Sequence, residues 1–131
     1  MATTGYRIHD MRHLDAMLDP ETQISLGVNH DKVCRRGVSY CRNFPMLAAY
    51  FAVMPLDITN PGLVKVTGEE SDDIPCDAHL GEHLMFPTSY QVIDGVDFYE
   101  MIDPLLEMAL EGADYDEVLD AAYDRFETTT F

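Results

Sequence analysis

The chain has 131 residues, of which 47% are hydrophobic, and its 24 acidic side chains against 8 basic ones give a formal net charge of −16. This length and composition predict one folded domain with a buried core and exclude a disordered tail. The negative charge repels phosphate backbones, so we expect no direct binding to DNA or RNA. No apolar run approaches the roughly 20 residues that a membrane span needs.

Two features of the sequence favour the cytoplasm. Residues 1–5 contain neither the basic nor the apolar segment of a secretion signal. The cysteines Cys34, Cys41 and Cys76 are odd in number, which in the absence of such a signal favours reduced thiols. We therefore expect a cytoplasmic protein with free cysteines.

The N-terminal residues predict a strand followed by a helix. Residues 4–9 alternate apolar and polar side chains, which predicts a strand with Arg7 and His9 on one face. Asp10 can cap a helix over residues 11–18, whose apolar positions recur at helical spacing. A brief strand and a polar, basic loop are then expected at residues 23–27 and 29–36.

The stretch over residues 37–45 is the one around which we interpret the chain. It begins with a glycine, alternates as a strand does, and ends in a polar turn before a helix over residues 45–54. Pro45 falls in the first turn of that helix, where its missing N–H costs least. This layout can place the hydroxyl of Ser39, the guanidinium of Arg42 and helix N–H groups around an anion.

The remaining chain contains more strands and then two helices. The strands are predicted at residues 63–67, 82–86 and 90–93, and the helices over residues 96–110 and from residue 114 onward. Pro87 is expected to close the second of these strands, and Pro104 to kink or divide the first of these helices. The order of elements predicts an α+β fold with a small mixed or antiparallel sheet. We expect a single domain, residues 1–131, with a core in residues 1–95 and acidic helices in residues 96–131.

The acidic residues are concentrated near the C-terminus. Residues 94–127 contain 7 Asp and 5 Glu against Arg125 alone, which gives −11, and the rest of the chain carries −5. Such a surface would suit docking onto a basic partner protein. A solvated face that maintains solubility, or a salt-adapted host, would produce the same bias, and the sequence leaves these alternatives open.

Three segments together resemble small ADP-ribosyltransferase-like proteins, including phage-encoded ones. They are the early strand with Tyr6 and Arg7, the segment Val-Ser-Tyr-Cys-Arg over residues 38–42, and the segment Glu-His-Leu-Met-Phe-Pro over residues 82–87. The resemblance covers roughly residues 5–93 and leaves the acidic helices outside. It implies an ADP-ribosyltransferase-like sheet, NAD as the substrate, and a host protein that is modified or inhibited.

The resemblance also implies a role for each matching residue. Glu82 would stabilise the oxocarbenium-like charge formed when the nicotinamide–ribose bond breaks, and Ser39 would bind the ribose or position Glu82. Arg7 would neutralise the pyrophosphate, with Arg42 in reserve. The remaining expected NAD contacts are aromatic: Tyr6 on the early strand, and Tyr40, Tyr50 or Phe51 as stacking surfaces for nicotinamide.

Histidines and one cysteine form a second pattern. Cys76, His79 and His83 have the spacing Cys-x2-His-x3-His, which suits zinc, but structural zinc sites usually pair two such clusters. We therefore expect no bound metal. His9 and His13 are expected to be surface residues.

Two classes of function remain open from the sequence. One is an NAD-dependent mono-ADP-ribosyltransferase. The other is a non-enzymatic acidic inhibitor that mimics nucleic acid and covers the basic, nucleic-acid-binding surface of a partner protein.

Overall fold

The structure is a computed structural model that describes residues 2–19, 22, 36–55, 58–75, 77–129 and 131. The expected strand over residues 23–27 and nearly all of the expected loop over residues 29–36 lie outside this part. The elements are β1 (Thr3–Asp10), a 3₁₀ helix (Met11–Leu18), β2 (Val38–Tyr40), α1 (Phe44–Val53), β3 (Pro61–Glu70), a second 3₁₀ helix (Ala78–Leu80), β4 (His83–Val92), α2 (Phe98–Leu110) and α3 (Tyr115–Phe126).

The four strands form one antiparallel sheet in the order β1-β3-β4-β2. The sheet curls, so that its two edge strands meet at an isolated bridge between Tyr6 and Cys41. Each of these two residues donates its N–H to the other's carbonyl, at 2.8 and 2.9 Å. The predicted α+β fold is confirmed, and its sheet is antiparallel.

Strand β4 differs from the sequence prediction. Two strands separated at Pro87 were expected, and this was wrong because β4 continues through that proline. A proline lacks the N–H that a central strand needs, and a bulge is one of the few places where it fits. Here Thr67 pairs with Ser89 but Gly68 pairs with Pro87, so one residue of β4 is left over and the ladder shifts beside the proline.

Side-chain caps begin the α-helices. Asn43 accepts a hydrogen bond from the Met46 N–H at 2.9 Å, and Pro45 lies in the first turn of α1, as predicted. Asp97 and Asp114 cap α2 and α3 in the same way. Helix α2 continues through its internal proline and is not divided.

The segment after β1 is helical but is not an α-helix. It is a 3₁₀ helix whose backbone departs from helical angles at His13 (φ −130°, ψ 35°). The Asp10 side chain accepts a hydrogen bond from the Arg12 N–H at 2.9 Å, as expected of a cap. This helix contributes Met17, which is fully buried.

Within the described part of the chain, buried side chains form two clusters. In the main core, α1 and the apolar sides of α2 and α3 pack with Ile8 of β1 and Leu63 of β3. The ring of Phe44 has edge contacts there with those of Phe98 and Phe126, at centroid distances of 5.9 and 5.0 Å. The second core consists of Met17, Val38, Tyr40, Val64, Val66 and Met85. The acidic helices therefore share the main core with the sheet.

Candidate functional site

Ser39 connects the two charged residues that the sequence singled out. It lies in β2, at an edge of the sheet, opposite Leu84 of β4. Its backbone carbonyl accepts a hydrogen bond from Nη1 of Arg7 at 2.5 Å, and its hydroxyl donates to Oε2 of Glu82 at 2.5 Å. One residue of the short strand thus holds a guanidinium and a carboxylate at the same edge.

Glu82 is fixed at both carboxylate oxygens. It follows the second 3₁₀ helix and Gly81, the residue after that helix, which lies in the left-handed region (φ 86°). Besides the bond from Ser39, its Oε1 accepts the backbone N–H of Asp77 at 2.9 Å. A carboxylate has about four acceptor positions, so this anchored group retains capacity for a ligand hydroxyl.

Arg7 is held by three hydrogen bonds. Its Nε and Nη2 lie 3.2 and 2.9 Å from Nδ1 of His9, and Nη1 donates to Ser39. Burial lowers the pKa of this guanidinium to about 10, and the negative charge of Glu82 opposes the shift. Arg7 therefore keeps its positive charge at neutral pH.

Two buried side chains, Tyr50 and Cys41, lie close enough to Glu82 for its charge to act on them. The hydroxyl of Tyr50 donates to Oδ2 of Asp77 at 2.7 Å; burial first, and then that hydrogen bond, raise the pKa of Tyr50. Burial and the charge of Glu82 raise the pKa of the Cys41 thiol to about 12. A thiol with so high a pKa is almost entirely protonated at neutral pH, so Cys41 is no nucleophile there.

Tyr40 and Arg42 point to a different place. The Tyr40 ring lies in the second core, and its hydroxyl donates to Oε1 of Glu70 at 3.0 Å. Burial, more than this bond, raises the pKa of Tyr40 to about 12. The Arg42 guanidinium is 3.7 Å from the same oxygen, and Nδ1 of His83 is 3.3 Å from it. These residues form a separate polar group around Glu70.

Tyr6 is next to Arg7 in the sequence but faces the main core. Its ring packs against that core, and Nζ of Lys65 lies 5.9 Å from the ring centroid. Among the predicted site residues, the structure therefore brings together Arg7, Ser39 and Glu82. Tyr50 is linked to Glu82 through Asp77.

The sequence interpretation missed His9 and Asp77. His9 was expected at the surface, which is wrong, because it is only 5% exposed and contacts Arg7 directly. The signal was present: residues two apart on a strand share a face. Asp77 gave no such signal, because it supports Glu82 through its backbone N–H and Tyr50 through its side chain.

We expect the free energy of unfolding to fall as the pH drops below about 6.5, the ordinary pKa of histidine. Burial and then the charge of Arg7 lower the pKa of His9, so the unfolded chain takes up a proton at a higher pH than the folded chain. Stability from neutral His9 is thus complete above that pH and is lost below it. In urea unfolding across this range, the free energy of unfolding of His9→Asn should change less with pH than that of wild type. Equal slopes for the two proteins would contradict the assignment of this pH dependence to His9.

A cavity of about 320 Å³ lies elsewhere, between the start of β3 and the start of α2, where Ile8, Leu63 and Phe98 line it. Within the described residues, no group of three or more His, Cys, Asp or Glu side chains could hold a metal ion. Cys76 lies outside the described part, so the Cys76–His79–His83 pattern is not fully visible. The helices that the structure describes include none that is both long and apolar enough to cross a membrane.

No protein-family model, curated protein or solved structure matches this chain.

Proposed function

We propose that this protein is an NAD-dependent ADP-ribosyltransferase that modifies a host protein. The observation that carries the proposal is the double contact of Ser39, which bonds Arg7 through its carbonyl and Glu82 through its hydroxyl. NAD carries a negative pyrophosphate and a ribose on which positive charge develops as nicotinamide leaves. A fixed guanidinium beside a fixed carboxylate complements both features.

Each group has a distinct task in this proposal. Arg7 has five N–H donors and uses three in the described contacts, which leaves one on each terminal nitrogen for pyrophosphate oxygens. Glu82 stabilises the positive charge on the ribose, and its anchors at Ser39 and Asp77 prevent it from turning away. Preorganised charge of this kind costs no reorganisation during the reaction.

The aromatic residues have other tasks. Tyr40 is 1% exposed and Tyr50 is 8% exposed, so neither ring offers much surface for stacking on nicotinamide. Tyr50 instead supports Asp77, and through it the loop that carries Glu82. Tyr6 and Arg42 remain peripheral to the reaction in this scheme.

The test is a titration with NAD followed by mass analysis of candidate partners for a single added ADP-ribose.

We expect Arg7→Lys to weaken NAD binding by about tenfold or more, because lysine cannot keep the planar contacts with His9 and Ser39 while it binds phosphate. The matched control is Arg12→Lys, which changes an exposed arginine paired with Asp10 at 2.8 Å. Equal NAD affinities of wild type and Arg7→Lys would remove Arg7 from the site.

A second candidate function is inhibition by the acidic face of α2 and α3. No described basic side chain lies within ion-pair distance of a carboxylate on these two helices. Their apolar sides occupy the main core, so the charges are directed outward together. This negative surface fits a basic protein surface of the kind that binds nucleic acid.

Association through this face should weaken as salt rises, since the screening length is about 8 Å at physiological ionic strength. Replacing Asp116, Glu117 and Asp120 by the corresponding amides should slow association with a basic partner and leave NAD binding unchanged. The control replaces Glu69 and Asp72, which are exposed but lie away from α3. If association changes neither with salt nor with the α3 substitutions, the acidic face has a role in solubility only.

A further inference from the structure

Hydrogen-bond chemistry fixes the protonation state of His9. Arginine nitrogens only donate, so Nδ1 of His9, which faces Nε and Nη2 of Arg7, must be an acceptor. The other ring nitrogen, Nε2, is 3.0 Å from the carbonyl of His13, which only accepts. His9 is therefore the neutral tautomer with its proton on Nε2.

This contact also determines where Arg7 points. One imidazole nitrogen engages two of the three nitrogens of the guanidinium, and the Ser39 carbonyl engages the third. With its plane held at both sides, the arginine has little freedom to turn. Because His9 is only 5% exposed, water cannot take the place of its ring unless the neighbouring residues rearrange.

We propose that His9 is the positioning residue for Arg7, and that protonation of its Nδ1 releases the guanidinium and weakens binding of a diphosphate ligand. A proton on Nδ1 would remove the acceptor that, among the described residues, faces Nε and Nη2, and would place two positive charges in contact. The ligand class, a diphosphate, rests on the proposed function, whereas the positioning of Arg7 does not.

Several neighbouring groups act on the pKa of His9. Burial and the charge of Arg7 lower the pKa of His9, and the charge of His13 acts in the same direction. The hydrogen bond to the His13 carbonyl and the charge of Asp10 oppose them. The Arg12 guanidinium neutralises Asp10 through two hydrogen bonds at 3.1 and 2.8 Å. The balance keeps the imidazole neutral at neutral pH.

The first measurement needs no ligand. In nitrogen NMR spectra of the intact protein at about pH 7.5, His9 should show an unprotonated Nδ1, and the Arg7 Nε–H should exchange slowly with water. As the pH is lowered through the His9 transition, both signals should change together. A protonated Nδ1 at the higher pH, or a rapidly exchanging Arg7 Nε–H, would overturn the positioning role.

The second measurement uses ADP-ribose as the probe. Wild-type affinity should fall about tenfold or more as the pH is lowered through the His9 transition, because Arg7 loses its fixed geometry. His9→Asn keeps an oxygen acceptor and does not titrate, so it should bind ADP-ribose with little pH dependence. His9→Leu should bind weakly at every pH. The control is His13→Gln, which removes an exposed imidazole but keeps the backbone carbonyl that contacts His9. It should bind ADP-ribose at about pH 7.5 as wild type does and should still lose affinity as the pH is lowered.

The outcomes separate the two proposals. If wild type shows the His9–Arg7 contact by NMR but binds no ADP-ribose at any pH, the proposed function fails and the positioning of Arg7 stands. If wild type binds ADP-ribose equally above and below the His9 transition, or if His9→Leu binds as tightly as wild type, the positioning role of His9 is wrong and the proposed function survives.

Discussion

Glu82→Gln should lower the rate of NAD cleavage by about 10²- to 10³-fold, because a neutral amide cannot stabilise the positive charge that develops on the ribose. The substitution is almost isosteric. Its amide oxygen can still accept the Asp77 N–H, which is 2.9 Å from Oε1 in the present structure, and its nitrogen can still contact the Ser39 hydroxyl. The fold and the affinity for NAD should therefore change little, and the loss should appear in turnover.

Release of nicotinamide, followed by chromatography, measures this rate. Glu69→Gln is a suitable control, because Glu69 is an exposed glutamate of β3 and its replacement removes the same charge. Circular dichroism and thermal unfolding of both variants show whether the fold is intact. If Glu82→Gln cleaves NAD as fast as wild type, Glu82 has no part in the mechanism, and the contact with Ser39 is structural.

The fold was predicted best where local chemistry decides it. Pro45 in the first turn of one predicted helix and Asp114 at the start of another are local signals, and the structure has helices there. What the sequence could not predict depends on partners distant in the chain. The continuity of β4 depends on a bulge against β3, and the closure of the sheet depends on a bridge between Tyr6 and Cys41.

The same distinction explains the candidate site. Arg7, Ser39 and Glu82 were singled out through a resemblance, and the structure places them in contact through Ser39. Tyr40 was assigned to the same site, although adjacent residues of a strand point to opposite faces and it follows Ser39 directly. The strand period alone would have placed Tyr40 elsewhere, as the structure does.

The strand period placed His9 on the same face as Arg7, but His9 was expected at the surface together with His13. The strand extends to Asp10, and His9 is buried there in contact with Arg7, two residues earlier. Only the structure shows that Nδ1 faces the guanidinium, because an alternating pattern indicates the face of a residue and not the rotation of its side chain.

The bulge of β4 opposite Gly68 of β3 leads to a second strong prediction, one about stability. At Gly68, a Cβ atom would lie 2.0 Å from the Phe86 carbonyl oxygen and 2.7 Å from the Cα of Pro87. Both contacts are with backbone, which cannot rotate away. The strands would have to separate at the point where the ladder already shifts to accept the proline.

Gly68→Ala should therefore lower the free energy of unfolding by about 3 kcal/mol or more, at or above the upper end of ordinary overpacking. For a domain of this size we expect the midpoint of thermal unfolding to fall by about 10 °C.

Gly62→Ala, on the same strand, is the matched control. Its added Cβ would lie 2.1 Å from Sδ of Met11, a flexible side chain that can move, so the cost should stay near 1 kcal/mol or below. Urea and thermal unfolding of both variants provide the measurement. Equal losses at the two positions would mean that the strands beside Pro87 can separate as easily as a methionine can turn, and that the bulge does not constrain β3.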